Sequence, residues 1–291
     1  MSVFVAEELS EVLNTKVVIG RINMGLLNRI IIDDVLLDDQ SGQEMLKVTR
    51  LSAKFDIMPF FKGKISISSV QLFGFNINLR KETPDSPPNF KFVLDAFASK
   101  DTVKKENSLD LRINSILIRR GRMSYHVLSE EETPGKFNAK HIQLQNIIAN
   151  ISLKALSKDS LNLGIKRLSL DEKASGFSLK KMSLKLVANN KQTNIDNFTI
   201  ELPETSLKLD TIHLEYDSLK AFDRFTEQVH FSFRTLPSQV TLKDISPFVP
   251  ILSHFKEPVT LDMEVKGTVD QLTCSHLEIT ADDRQFRLRG D

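Results

Sequence analysis

Most of the chain alternates between apolar and polar residues with a period of two, the mark of half-buried β-strands. Ile65 and Ile67 begin one run, and Phe73, Phe75, Ile77 and Leu79 are expected to share a face in the next. Leu109, Leu111 and Ile113 alternate, then Met123 and Tyr125, then Leu161 and Leu163. Met182, Leu184 and Leu186 are separated by Ser183 and Lys185, and Phe198, Ile200 and Leu202 by Thr199 and Glu201. Ile212 and Leu214 face away from His213 and Glu215, and Val259, Leu261 and Met263 form the last long run. The spacing predicts about 16 to 18 strands in an all-β arrangement.

Few helices interrupt this pattern. Residues 1–13 carry Val3, Phe4, Leu9, Val12 and Leu13 at helical spacing among Glu7, Glu8 and Glu11, so a short amphipathic helix is expected. It either packs on a sheet or is the stub of a membrane-proximal helix. Residues 89–98, after the proline-rich 84–88, form a second candidate, and Leu219 to Phe225 a third. Ser246 and Pro247 can supply an N-cap and a first-turn proline for a short helix to Phe255. Residues 14–98 then read as a first β-unit, 99–107 as a charged linker and 108–243 as repeated β-units. Residues 244–291 read as a helix and the start of another unit. The abrupt ends suggest a piece of a longer protein, its 291 residues forming one elongated β-fragment.

Composition narrows the function classes. Lys plus Arg is 39 against 38 for Asp plus Glu, so the basic excess of a nucleic-acid binder is missing. The one cysteine, Cys274, excludes thiolate-rich metal sites. There is no tryptophan and there are 2 tyrosines, but 19 phenylalanines, so the aromatic bulk lacks polar handles. No run of about 18 apolar residues is present to span a bilayer as a helix. Among the six histidines no His-x-His or zincin-like spacing occurs, and no nucleophile elbow or phosphate loop is found. Asp33-Asp34 and Asp38-Asp39 lack a calcium-loop spacing and read as strand ends and a turn. Arg119, Arg120 and Arg122 around Gly121 read as a solvated hairpin turn, with an anionic headgroup as the sharper reading. No catalytic residue, metal or cofactor is expected, and the chain is not read as an enzyme.

A sheet with one apolar face must bury it. Two solutions remain open. The sheet packs on a second one as a β-sandwich, or it curls into an open groove whose lining is covered by guests such as lipid tails.

Certain segments resemble a known family. Leu13 to Gly20, Ile30 to Asp39, Leu51 to Asp56, Phe61 to Ile67, Val70 to Phe75 and Pro88 to Phe90 are similar to the opening of the periplasmic part of AsmA-like and TamB-like proteins. Leu168 to Leu170, Ser175 to Phe177, Leu202 with Pro203, and Thr205 to Leu207 resemble repeats of the TamB-like proteins of Bacteroides and relatives. Asp244 to Phe248 resembles a later segment of that architecture. The order of these short pieces, across nearly the full length, carries the resemblance.

The resemblance implies a twisted, open, chorein-like β-groove (a β-taco). It implies the periplasmic part of an inner-membrane-anchored protein of a Gram-negative bacterium, with its N-terminal anchor outside this sequence. The implied activity is non-enzymatic: carriage of phospholipid acyl chains between inner and outer membranes in outer-membrane biogenesis. A TamA-like outer-membrane barrel is an implied partner, reached through C-terminal regions not in this sequence. The lining candidates are the alternating apolar sets named above, from Ile65 to Met263. Two other readings stay open: a periplasmic scaffold for outer-membrane protein assembly or secretion, and an adhesion-type sandwich.

Overall fold

The structure is a computed structural model that describes residues 2–26, 28–55, 67–98, 114–157, 160–281 and 287–290. It is mostly β, with a large mixed sheet and few short helices. No helix among the described residues is long and apolar enough to cross a membrane. The chain divides into two compact units: Met1–Ala149 with Leu170–Gly176, and Asn150–Ser169 with Phe177–Asp291.

In the first unit, the helix Ser2–Leu13 leads into β1 (Val17–Gly25), β2 (Arg29–Asp38), β3 (Glu44–Phe55) and β4 (Ile67–Lys81). These four strands form an antiparallel meander. β5 (Ser115–Val127) then pairs parallel to β4. A parallel neighbour requires a long crossover, and the connection from Glu82 to Asn114 supplies it, carrying a helix at Lys91–Ala98. β6 (His141–Ser157) and β7 (Ser160–Glu172) each contribute to both units. The second unit continues with β8 (Ser178–Asn189), β9 (Gln192–Glu201) and β10 (Ser206–Glu215). β11 (His230–Thr235), the short β12 (Ser238–Val240), β13 (Val259–Gly267), β14 (Leu272–Ala281) and β15 (Arg287–Gly290) complete it. Its strands follow one another in chain order, with β12 set between β10 and β13. No second sheet occurs among the described residues.

The expected helix at 89–98 is present over Lys91–Ala98, and that at 1–13 over Ser2–Leu13. The one predicted from Ser246 to Phe255 is replaced by two 3-10 turns, Leu242–Ile245 and Pro250–His254. Proline at 247 and again at 250 leaves too few amide donors for an α-helical ladder. Arg119, Arg120 and Arg122 lie inside β5, not in a turn. The reason is the parallel pairing to β4: Phe73 faces Arg119 and Asn76 faces Arg122, so the chain passes straight through. Fifteen strands are found among the described residues, and the linker 99–107 lies outside them.

The first unit holds two apolar clusters. Ala6, Val17, Ile19, Leu37 and Met45 are buried together, and Phe90, Phe92 and Val93 pack against them. Both helical segments thus cover one end of the β1–β3 face. The second cluster is built on Val48, Phe75 and Ile147.

Candidate functional site

In the second unit the register gathers the apolar residues on one face. Met182 lies opposite Ile200, and Leu186 opposite Ile195. Leu207 faces Ile200, Leu209 faces Phe198, and Ile212 faces Ile195. Across the next ladder Ile212 meets Phe233 and Leu214 meets Phe231. Phe233 meets Val265, Met263 meets Leu277, and Leu261 meets Ile279. The apolar row therefore crosses every ladder from β8 to β14. Single-residue slips occur between Ser183 and Lys185, between Leu209 and Ile212, and between Glu264 and Val265. Each adds one residue to one strand, as a β-bulge does. Strict alternation would turn Ile195 away from Phe198, and Leu209 away from Ile212. The bulges, one of them at left-handed Asn197, keep these pairs on the same side.

Burial along this face is mixed, and Leu214 packs against the buried Tyr216, Ala221 and Val229. Leu202, Leu209 and Val265 are buried. Met182, Leu184, Leu186, Phe198, Ile200, Ile212 and Leu214 are only half-buried, as are Val259, Leu261 and Met263. Neighbouring strands 4.7–4.9 Å away shield their flanks, but a facing layer would bury them as a sandwich core is buried. The opposite face carries Lys185, Asp196, His213, Ser232, Arg234 and Glu278, with Val187 as an exposed apolar residue among them.

In the first unit the same principle operates through a transverse row. Asp34, Gly74 and Arg120 all have positive φ, at 59°, 65° and 55°. By register they align with Gly20 and Thr49 across β1 to β5. The residue in the row shifts the alternation by one on each strand. Val48, Phe75 and Ile77 lie on one side of it, and Leu51 and Leu72 join the same cluster from the other. Gly121 is needed beneath Phe75: a Cβ there would fall 2.4 Å from the ring. Phe73 is absent from that cluster. Its ring lies exposed under the Arg120 guanidinium, 5.1 Å from ring centroid to Cζ, beside a cleft of about 460 Å³ that Arg50 and Arg119 also line. Phe73 and Phe75, read as sharing a face, are separated by the left-handed Gly74 between them.

The remaining candidates are placed as follows. Met123 and Tyr125 stand opposite Ile77 and Leu79. Leu161 and Leu163 are half-buried on β7, and Ile67 is half-buried on β4. Ile65, Leu109, Leu111 and Ile113 lie outside the described residues. The alternation missed Phe231 and Phe233, whose strand is only six residues long. The signal for them is the order His230-Phe231-Ser232-Phe233-Arg234.

Buried acids hold the turns that end these strands. Asp39 accepts hydrogen bonds from the Ser41 and Gln43 amides and pairs with the Arg80 guanidinium at 2.7 Å. Glu172 accepts from the amides of Gln143, Ala174 and Ser175 and from the Ser175 hydroxyl. Burial alone pushes both carboxyls up. The hydrogen bonds, led by Ser41 for Asp39 and Ser175 for Glu172, outweigh it and hold both below their ordinary values. Asp33 is held low by its hydrogen bond from the Arg50 guanidinium, 2.6 Å away. These acids are committed to turns and arginines. Cys274 and His276 straddle the bulge at Ser275, and the Cys274 thiol donates to the His276 carbonyl. No protein-family model matches the chain, and no curated protein matches it.

Proposed function

We propose that this chain is a lipid-carrying segment of a bacterial envelope protein, and that its apolar sheet face holds phospholipid acyl chains moving between the inner and outer membranes. The observation that carries this reading is the second unit's face. An apolar row crosses every ladder from β8 to β14, and most of it is only half-buried.

The energetics suit a weak, continuous hold. Each methylene moved from water to an apolar surface gains roughly 0.8 kcal/mol, so a chain of about 16 carbons covered on one side gains on the order of 6 kcal/mol before ordering costs. The face presents mainly aliphatic and phenyl groups, and its Thr193, Tyr216 and Thr235 hydroxyls are buried and hydrogen-bonded within the protein, so none of them is offered to fix the register of a guest. Sliding by one methylene exchanges one such contact for an equivalent one. A charged group in the row would break that path, because it would lose its water without gaining a partner.

The periplasmic location, the inner-membrane anchor and the TamA-like outer-membrane partner belong to the same reading. They rest on the resemblance of the sequence to AsmA-like and TamB-like proteins. Native mass spectrometry of the chain, purified from a Gram-negative host without detergent, tests the proposal. Phospholipid adducts released by mild activation are expected. A folded chain free of lipid under those conditions, and unable to take it up from vesicles, would contradict it.

A further inference from the structure

The loop between β5 and β6 brings together three side chains that no pattern in the sequence joins. His126 stands one residue before the end of β5, and His141 begins β6. Their Nδ1 atoms are 3.0 Å apart. The carboxylate of Glu132, from the intervening loop, lies 4.0 Å from the His126 Nδ1. One ligand atom from each of the three falls within 4.8 Å of the others.

We infer that His126, His141 and Glu132 form a binding site for a late divalent transition metal of the zinc type. The tautomer of His141 supports this first. Its Nε2 lies 2.9 Å from the Glu130 carbonyl oxygen, which can only accept, so this nitrogen carries the proton. The His141 Nδ1 is therefore a lone pair, and it points at His126. A ring fixed through its distal N–H by a carbonyl is how metal-binding histidines are oriented.

The spacing of the three ligand atoms supports it next. Ligands about 2.0–2.1 Å from a tetrahedral ion are roughly 3.3 Å from one another. The two imidazole nitrogens must separate by a few tenths of an ångström, and the exposed Glu132 must close by somewhat more. The rings, tilted at 51° with centroids 5.3 Å apart, leave their edges convergent instead of stacked. Without metal, His126 donates its Nδ1–H to His141. With metal, His126 takes its Nε2–H tautomer and its Nδ1 lone pair binds the ion, so no net proton is lost from the pair.

The scaffold around the three residues is already fixed. The Val127 amide donates to the Lys140 carbonyl, the Glu130 amide to the Val127 carbonyl, and the His141 amide to the Asn138 carbonyl. Lys140 also pairs with Glu130 at 2.7 Å. His141 is buried and His126 is partly so. Two imidazoles with one carboxylate suit zinc better than magnesium or calcium, which prefer all-oxygen sites. The ion would staple the mouth of the β5–β6 loop and retain a coordination position for water.

The test uses the full chain, stripped with chelator and titrated with Zn2+ against a chromogenic competitor. Thermal unfolding is followed in parallel, and Co2+ serves as a spectroscopic substitute. One equivalent of Zn2+ is expected to bind and raise the unfolding midpoint, and Co2+ is expected to show the d–d absorption of a low-coordinate site. His126→Gln should weaken binding by about 100-fold and Glu132→Gln by about 10-fold, both remaining folded without metal. His141→Gln should remove binding as well. Because His141 is buried, His126→Gln is the deciding variant if His141→Gln does not fold. No stoichiometric binding by the wild-type chain would overturn the proposal. So would binding that persists unchanged in His126→Gln.

Discussion

Glu172→Ala is expected to destabilise the first unit by about 3 kcal/mol, the largest single-residue loss of stability foreseen for the chain. Glu172 is 3% exposed, and its two carboxylate oxygens satisfy the amides of Gln143, Ala174 and Ser175 and the Ser175 hydroxyl. Alanine removes every one of these acceptors at once and leaves donors facing a cavity. Glu172→Gln retains one carbonyl oxygen but turns the other acceptor into a donor, aimed at existing donors, so it is expected to recover only part of the loss. The pH dependence has a definite sign. The folded Glu172 titrates below its usual 4.5, and folded Asp39 below 3.8. The unfolded state therefore takes up protons first as the solution is acidified. The stabilisation is present in full above the unfolded values and is lost as pH falls through the folded ones. Chemical denaturation between about pH 2 and 6 should show this acid limb in the wild type and a shallower one in Glu172→Gln. Equal slopes would mean that the carboxylate is not the group that the turn is built around.

A pair of aspartates on the apolar face, Leu184→Asp with Ile212→Asp, is expected to reduce lipid loading by at least about 10-fold, a loss of roughly 1.4 kcal/mol or more of acyl-chain contact. Both positions are half-buried and bear on the same row, so the charges retain some water and the chain should still fold. A control pair on the other face, Lys185→Asp with His213→Asp, should leave loading within about twofold, because surface changes away from the apolar row perturb little. Loss in both pairs alike would point to damage to the fold instead of a blocked path.

Much of this architecture was legible in the alternation. A one-faced strand needs only its period of two, and Met182 to Leu186 and Val259 to Met263 show it without interruption. The structure places those sets in one row. What alternation cannot carry is the single left-handed residue. Gly74 sits between Phe73 and Phe75 and puts them on different faces, although their spacing says otherwise. Arg120, with φ of 55°, gives no sequence signal of this kind, since arginine is not a residue that favours it. Long-range pairing is the other limit. The arginines of β5 read as a turn because Gly121 lies among them. They sit in a strand because β4 lies alongside in parallel, and Gly121 is there to make room for Phe75. The meeting of His126 and His141 depends on how a loop closes, which spacing in the chain does not reveal.

If one face of the second unit's sheet takes acyl chains and the other does not, the two faces must differ in what they touch. The most direct measurement is photocrosslinking of the full chain with a phospholipid carrying a photoreactive group along its acyl chain, followed by peptide mapping of the adducts. Adducts are expected on Leu184, Ile212, Leu214 and Met263, with Lys185, His213 and Asp262 unlabelled. Labelling spread equally over both faces, or confined to the polar one, would contradict the lipid-carrying role.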